Sequence, residues 1–266
     1  MELTFNAVAA LLPEDLRGSL EVHKTIDSTN LRCKALAAQG AAAGTAVAAD
    51  EQTAGRGRLG RRFDTQAGKG VYLSVLLRPG CPGEALRHLT AMAAVAVREA
   101  IAETCGLQTD IKWVNDLLCQ GRKLCGILVE LGFDAAGLAE SAVVGVGVNC
   151  DHAAEDFPPE LRDLAGSVAM FTGKAVDRAA LCAALIRRLA ALQEDLFDKK
   201  ADYLARYAAH CVTIGARVRV LGAEERPAIC TGIDENAALK VVYDDGSEGL
   251  IAAGEVSVRG LYGYAE

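Results

Sequence analysis

The segment TAGRGRLGRRF, residues 53–63, sets four arginines and three glycines in the eight residues from Gly55 to Arg62. Glycines allow positive φ and close backbone approach. Arginine forks bind phosphate oxygens two at a time. Together they suit a clamp for a polyanion such as a nucleotide phosphate. The plain alternative is a solvated turn that aids solubility. The pattern lacks the G-x-x-x-x-G-K-[ST] spacing of an NTPase phosphate loop, and it opens no helix as a dinucleotide fingerprint does.

A second group is KWVNDLL, from Lys112 to Leu118. A strand-end turn, with Trp113 in the core and an Asx turn at Asn115 and Asp116, explains most of it. It explains Lys112 less well, because a lysine in an apolar strand needs an anion nearby. The third group is GVGVN, from Gly145 to Asn149. Glycines weaken a buried strand unless something approaches its backbone. A ligand and a tightly packed helix both qualify.

The elements that must hold these groups follow from periodicity and turn residues. SLEVHKTIDSTN predicts a strand and then a helix, capped by Asp27 or Ser28 and ending near Gly40. TAVAADEQ and GVYLSVLLRPG predict strands on either side of the arginine loop. Leu86, Leu89, Met92, Val95 and Ala96 fall at helical spacing before Gly106. Three strands follow: TDIKWVND, KLCGILVEL and SAVVGVGVN, the central pair buried on both faces. A long helix from Asp177 breaks near DKKAD. After Cys211, short β-rich runs between turn residues predict a small barrel.

Composition narrows the classes. The chain has 266 residues, enough for one large domain or a large and a small one. Its net charge is -7, so positive charge is local and a small anionic ligand fits better than nucleic acid. The nine cysteines show no C-x-x-C pair and the four histidines no ligand spacing, which argues against structural zinc or a disulfide framework. Buried thiols in a reducing cytoplasm are the simpler reading. No signal peptide or membrane-spanning run is recognisable.

With DSTN, EQTAGRGRLGRRF, KWVNDL, KLCGILVE, GVGVN and GEVSVRG in this order, the chain resembles the biotin protein ligases over roughly residues 20–262. The resemblance implies an α+β fold: a mixed sheet with packed helices, similar to class II aminoacyl-tRNA synthetases, over residues 1–211. A small SH3-like barrel would occupy residues 212–266. It implies activation of biotin by ATP with Mg²⁺, then transfer to a lysine of a biotin carboxyl carrier protein. Ser28, Thr29, Asn30 and Gln52 would line the biotin site, with Arg56, Gly57, Arg58 and Lys112 also touching biotin. Arg56, Arg58, Lys112, Asn115 and Asn149 would meet the nucleotide, and Asp116 would serve metal or nucleotide. Arg58 and Lys112 would carry the catalysis, and the arginine loop would close as a lid over the intermediate. The metal ligands stay unassigned. Two positions depart from the usual pattern: Leu59 replaces an arginine found in some relatives, and Val114 replaces a proline that would stiffen the turn. Only about twenty residues precede EVHKTI, so the expectation is a ligase without an N-terminal DNA-binding domain, cytoplasmic, with no specific DNA, no membrane, and a homodimer allowed. The rivals are a lipoate or octanoate ligase, a nucleic-acid-binding regulator and an inactive biotin-binding scaffold.

Overall fold

Two short helices, Phe5–Ala9 (α1) and Glu14–Arg17 (α2), begin the computed structural model, which describes residues 2–61, 63, 65–221, 225–252 and 258–259. Leu20–Ile26 (β1) then leads into Thr29–Ala38 (α3), as predicted. Ser28 is the cap residue, but its hydroxyl makes no bond to the helix, while the Asp27 carboxylate accepts from the Ser28 amide at 2.6 Å. Strands Ala46–Gln52 (β2) and Gly70–Leu77 (β3) flank the arginine loop. Cys81–Pro82 (β4) and Leu89–Cys105 (α4) follow, and Gly106 ends α4 in a left-handed conformation.

The region read as three strands contains four: Asp110–Lys112 (β5), Asp116–Cys119 (β6), Arg122–Phe133 (β7) and Leu138–Asn149 (β8). β6 has four residues, too few for a period to show, and pairing fixes it: Lys112 opposes Asp116 and Asp116 opposes Gly126. β8 is nearly all buried, whereas much of β7 is half-exposed, so the central pair is not sealed on both faces. Val168–Thr172 (α5), Arg178–Asp195 (α6) and Lys200–His210 (α7) complete the helices, and the expected break falls between α6 and α7.

The large sheet is mixed, in the order β1-β2-β3-β8-β7-β6-β5 with β4 beside β8. β1 and β2 run parallel and the other pairs antiparallel. Alternate residues of a strand point to opposite faces. Val71, Leu73, Val75 and Leu77 join α4 and α6 in the main core, while Leu76, Val47 and Val143 form a smaller core with Cys33 and Ala37 of α3. α3 covers only part of its face, and the uncovered part is where the cleft lies.

After α7, strands Arg217–Leu221 (β9), Glu225–Ile233 (β10), Leu239–Tyr243 (β11), Glu248–Ile251 (β12) and Val258–Arg259 (β13) form an antiparallel sheet ordered β12-β11-β10-β9-β13. Of the GEVSVRG run only Val258 and Arg259 are described; the other residues, like Arg62 of the loop, lie outside the described residues.

Candidate active site

One row across the large sheet forms the cleft floor. Lys112 pairs with Asp116, Asp116 with Gly126, Gly126 with Gly147, and Gly147 with Tyr72. Above it lies a cleft of about 430 Å³. The predicted residues Ser28, Thr29, Asn30, Gln52, Arg56, Gly57, Arg58, Lys112, Asn115, Asp116 and Asn149 all line it. They come from five separate stretches of the chain, and the sheet brings them together.

The two glycines of GVGVN make room for side chains of the site itself. A Cβ on Gly145 would fall inside the Asn30 amide. A Cβ on Gly147 would meet the Phe63 ring at 2.6 Å, and one on Gly126 would meet the same ring at 3.2 Å. At Gly145 the packed helix left open in the sequence is what fills the space, since Asn30 belongs to α3, whereas the space over Gly147 is taken by Phe63 of the arginine loop. Gly126 and Gly147 form a bare floor on which Phe63 lies.

One end of the cleft is neutral and buried. Gln52 Oε1 accepts from the Thr29 amide at 2.8 Å. Asn30 Nδ2 donates to Glu130 at 2.9 Å, and the Ser74 hydroxyl lies 2.6 Å from Asn30 Oδ1. Ser28, Thr29, Asn30, Gln52 and Ser74 are all buried.

The other end is cationic. The arginine loop folds back on itself: the Gly57 amide donates to the Arg61 carbonyl at 2.7 Å, and the Phe63 amide to the Gly55 carbonyl at 3.1 Å. Leu59, at the tip, is 74% exposed and holds a φ of 56°, a left-handed value that a side chain rarely adopts. Arg56 Nη1 lies 3.5 Å from Glu130, Arg58 Nη1 donates to Asn115 Oδ1 at 2.8 Å, and Lys123 Nζ lies 2.8 Å from Asp116. Burial holds the pKa of Lys112 below the ordinary lysine value, opposed by the nearby Asp116 carboxylate. Burial likewise lowers that of Arg58. Cations held this way gain when an anion arrives.

The KWVND stretch makes no Asx turn. Asn115 Nδ2 instead donates across to the Ile127 carbonyl at 3.0 Å, which leaves Oδ1 for Arg58. Trp113 is a buried core residue and a cleft wall at once. Its amide donates to Thr213 Oγ1 at 3.0 Å and its indole to the Ala237 carbonyl at 2.8 Å, in the β10–β11 turn. Val114, in the proline position, is buried, and its carbonyl accepts from the Tyr207 hydroxyl at 3.3 Å. Packing and this bond hold the turn that proline would otherwise stiffen.

Several lining residues were passed over. Lys123 heads the quoted KLCGILVE run, and the argument applied to Lys112, that a lysine in an apolar strand needs an anion nearby, would have found it. Phe63 closes the loop as an aromatic in polar surroundings. His152 and Phe157, stacked at 5.1 Å, line the cleft from an aperiodic segment that carries no such signal. Among the described residues no three His, Cys, Asp or Glu side chains are grouped to hold a metal ion.

A model of the biotin/lipoate A/B protein ligase family matches residues 22–149. The bifunctional ligase/repressor BirA of Bacillus subtilis is 44% identical over 157 residues, which is 59% of this chain and 48% of that protein. The biotin–[acetyl-CoA-carboxylase] ligase of Mycobacterium tuberculosis is 34% identical over 244 residues, covering 89% of this chain and 88% of that one. Against the biotin protein ligase from Aquifex aeolicus in complex with biotin and ATP, the fold superposes with a TM-score of 0.77 at 30% identity, covering 91% of this chain and 98% of that chain. The chain spans about half the length of the BirA proteins of the two Bacillus species that it matches.

Proposed function

The chain belongs to the biotin protein ligase family, and from that premise we propose that it activates biotin with ATP and passes the biotinyl group to a lysine of a biotin carboxyl carrier protein. The observation that carries the reading is the polarity of the cleft. A buried neutral end suits an uncharged ring, and an end holding Arg56, Arg58, Lys112 and Lys123 suits a carboxylate and a phosphate chain together.

In the first step a biotin carboxylate oxygen attacks the α-phosphorus. The bond to the β-phosphate breaks, and pyrophosphate leaves behind biotinyl-5'-AMP. The reactants repel each other, and fixed cations offset that repulsion most where charge builds on the phosphoryl oxygens. Lys112 and Lys123 flank Asp116 on the floor, so they serve the carboxylate and the α-phosphate. Arg56 and Arg58 reach in from the loop, which closes as a lid and excludes water. In the second step the carrier's lysine amine attacks the acyl carbon, the bond to AMP breaks, and an amide forms with loss of a proton.

The nucleotide lies over Asn149 in this reading, with its base against the apolar wall of His152, Phe157 and Leu164. Mg²⁺ bound with the triphosphate would offset the negative charge of the phosphate oxygens. Asp116 and the Asn149 Oδ1 atom are the protein oxygens suited to it; Asn149 Nδ2 is engaged with the Gly166 carbonyl. Residues 1–211 form the catalytic unit and 212–266 the small barrel. No helix of the described residues is long and apolar enough to cross a membrane. Cytoplasmic placement and the lack of specific DNA binding go with the proposal, which is compatible with a homodimer; the DNA reading rests on the net charge of -7 and on cations turned into the cleft.

The test is pyrophosphate release from Mg-ATP. Biotin should stimulate it far more than lipoate or octanoate. Equal stimulation by all three, or none by biotin, overturns the reading.

A further inference from the structure

Behind the neutral end of the cleft runs a chain of polar groups that crosses four elements. It begins at the Glu130 carboxylate on β7, passes through Asn30 of α3 and Ser74 of β3, and ends at Thr29 and Gln52. Ser74 is fully buried, in a strand whose eight residues are all buried. A hydroxyl there costs free energy unless it is used.

The direction of each bond follows from the groups at the two ends. An ionised carboxylate only accepts, so Asn30 turns Nδ2 to Glu130 and Oδ1 to Ser74, at 2.9 and 2.6 Å. Ser74 has one proton, and the amide oxygen takes it. The Ser74 oxygen also lies 2.8 Å from Thr29 Oγ1, a shorter contact than the 3.2 Å from Thr29 Oγ1 to Gln52 Oε1. The threonine hydroxyl therefore donates to Ser74, and its lone pairs are left to accept. At the far end a backbone N–H, which only donates, binds Gln52 Oε1 at 2.8 Å and leaves Nε2 as a donor. The cleft thus presents an acceptor at Thr29 beside a donor at Gln52.

A cyclic urea offers the complement, an N–H donor beside a carbonyl acceptor. A plain acyl chain offers neither. We propose that Ser74 and Glu130, which stand behind the cleft wall, are positioning residues: through Asn30 they hold Thr29 as an acceptor beside the Gln52 donor and so select a cyclic urea over an unfunctionalised acyl chain. This rests on the reading of the site as a biotin site.

The experiment compares biotin with octanoate by calorimetry, the weaker ligand in competition, in the parent protein, Ser74→Ala and Glu130→Met. Both ligands carry a carboxylate and an apolar chain, so a change at the cationic end, including the release of Arg56 from Glu130, moves both affinities alike. A relay that sets polarity moves only their ratio. Leaving buried partners unsatisfied should reduce biotin affinity by roughly 5- to 150-fold in each variant, with octanoate affinity nearly unchanged. An unchanged ratio, whether both affinities hold or both fall together, overturns the proposal. Should Ser74→Ala fail to fold, Glu130→Met decides, since its side chain lies near the surface end of the relay. A parent protein that does not prefer biotin to octanoate defeats the functional reading itself, before any variant is measured.

Discussion

The two ends of the cleft are built in opposite ways. At the neutral end, short side chains from a helix and two strands are buried and hydrogen-bonded to one another. At the other end, long cationic side chains rest on Glu130, Asn115 and Asp116, and three of the four come from loops or strand ends. The first arrangement is preorganised: its polar groups are oriented by one another before a ligand arrives. The second holds its cations on partners that an anion can replace. On the proposed reading, recognition of the ring falls to the scaffold and charge compensation to side chains from loops and strand ends.

Substitution at Gly145 tests the rigid end most severely. A Cβ there occupies the seat of the Asn30 amide. Gly145→Ala should abolish measurable biotin binding and lower stability by about 1–3 kcal/mol, read by calorimetry and by denaturant melts. Retained biotin affinity would show that this end is softer than its packing implies.

Removing one cation from the other end should have a smaller and more selective effect. In Lys112→Ala or Lys123→Ala, loss of a charge-assisted contact should slow pyrophosphate release by about 10- to 150-fold, with transfer from ready-made biotinyl-AMP less affected. Equal damage to both steps would place these lysines in the framework rather than in the chemistry. Arg58→Gly removes the bond to Asn115. The variant should still form the adenylate but release it faster, so that bystander proteins such as albumin become labelled. Carrier-only labelling and an unaltered off-rate would show that the loop does not retain the intermediate.

The smallest effect is in pH dependence. Lys112 has a folded pKa below its unfolded one because burial disfavours its charge. The unfolded chain therefore binds more protons between the two values, and the empty protein gains stability as pH rises through that window toward 10.5. Affinity for an anionic ligand needs the charged lysine and runs the other way, falling over the same range. Lys112→Arg should flatten both curves. Parallel curves for the parent and Lys112→Arg would assign the alkaline behaviour to another group.

The order of strands and helices was legible because long apolar runs with clear turn residues dominate it, as in Gly70–Leu77 and Leu89–Cys105. β6 was not, because four residues carry no period and their strand exists only through pairing with β5 and β7. Of the site, the residues in dense motifs were legible, since unusual composition marks them. Ser74 was not: a single serine in an apolar strand shows its use only when Asn30, forty-odd residues away in sequence, is seen beside it. Lys123 could have been found by the reasoning already applied to Lys112.

The glycine floor under Phe63 has a consequence for how such a cleft can adapt. Gly126 and Gly147 have no side chain left to shorten, so every alternative residue at either position takes space away. A lineage, or a laboratory selection, that needs a deeper cleft for a bulkier acid cannot obtain it there. It must trim Phe63 or a wall residue such as Leu128, and so give up part of the lining of the present cleft. Expansion of the substrate range is therefore tied to loss of affinity for the original substrate, and a generalist derived from this scaffold would have to pass through a weaker binder.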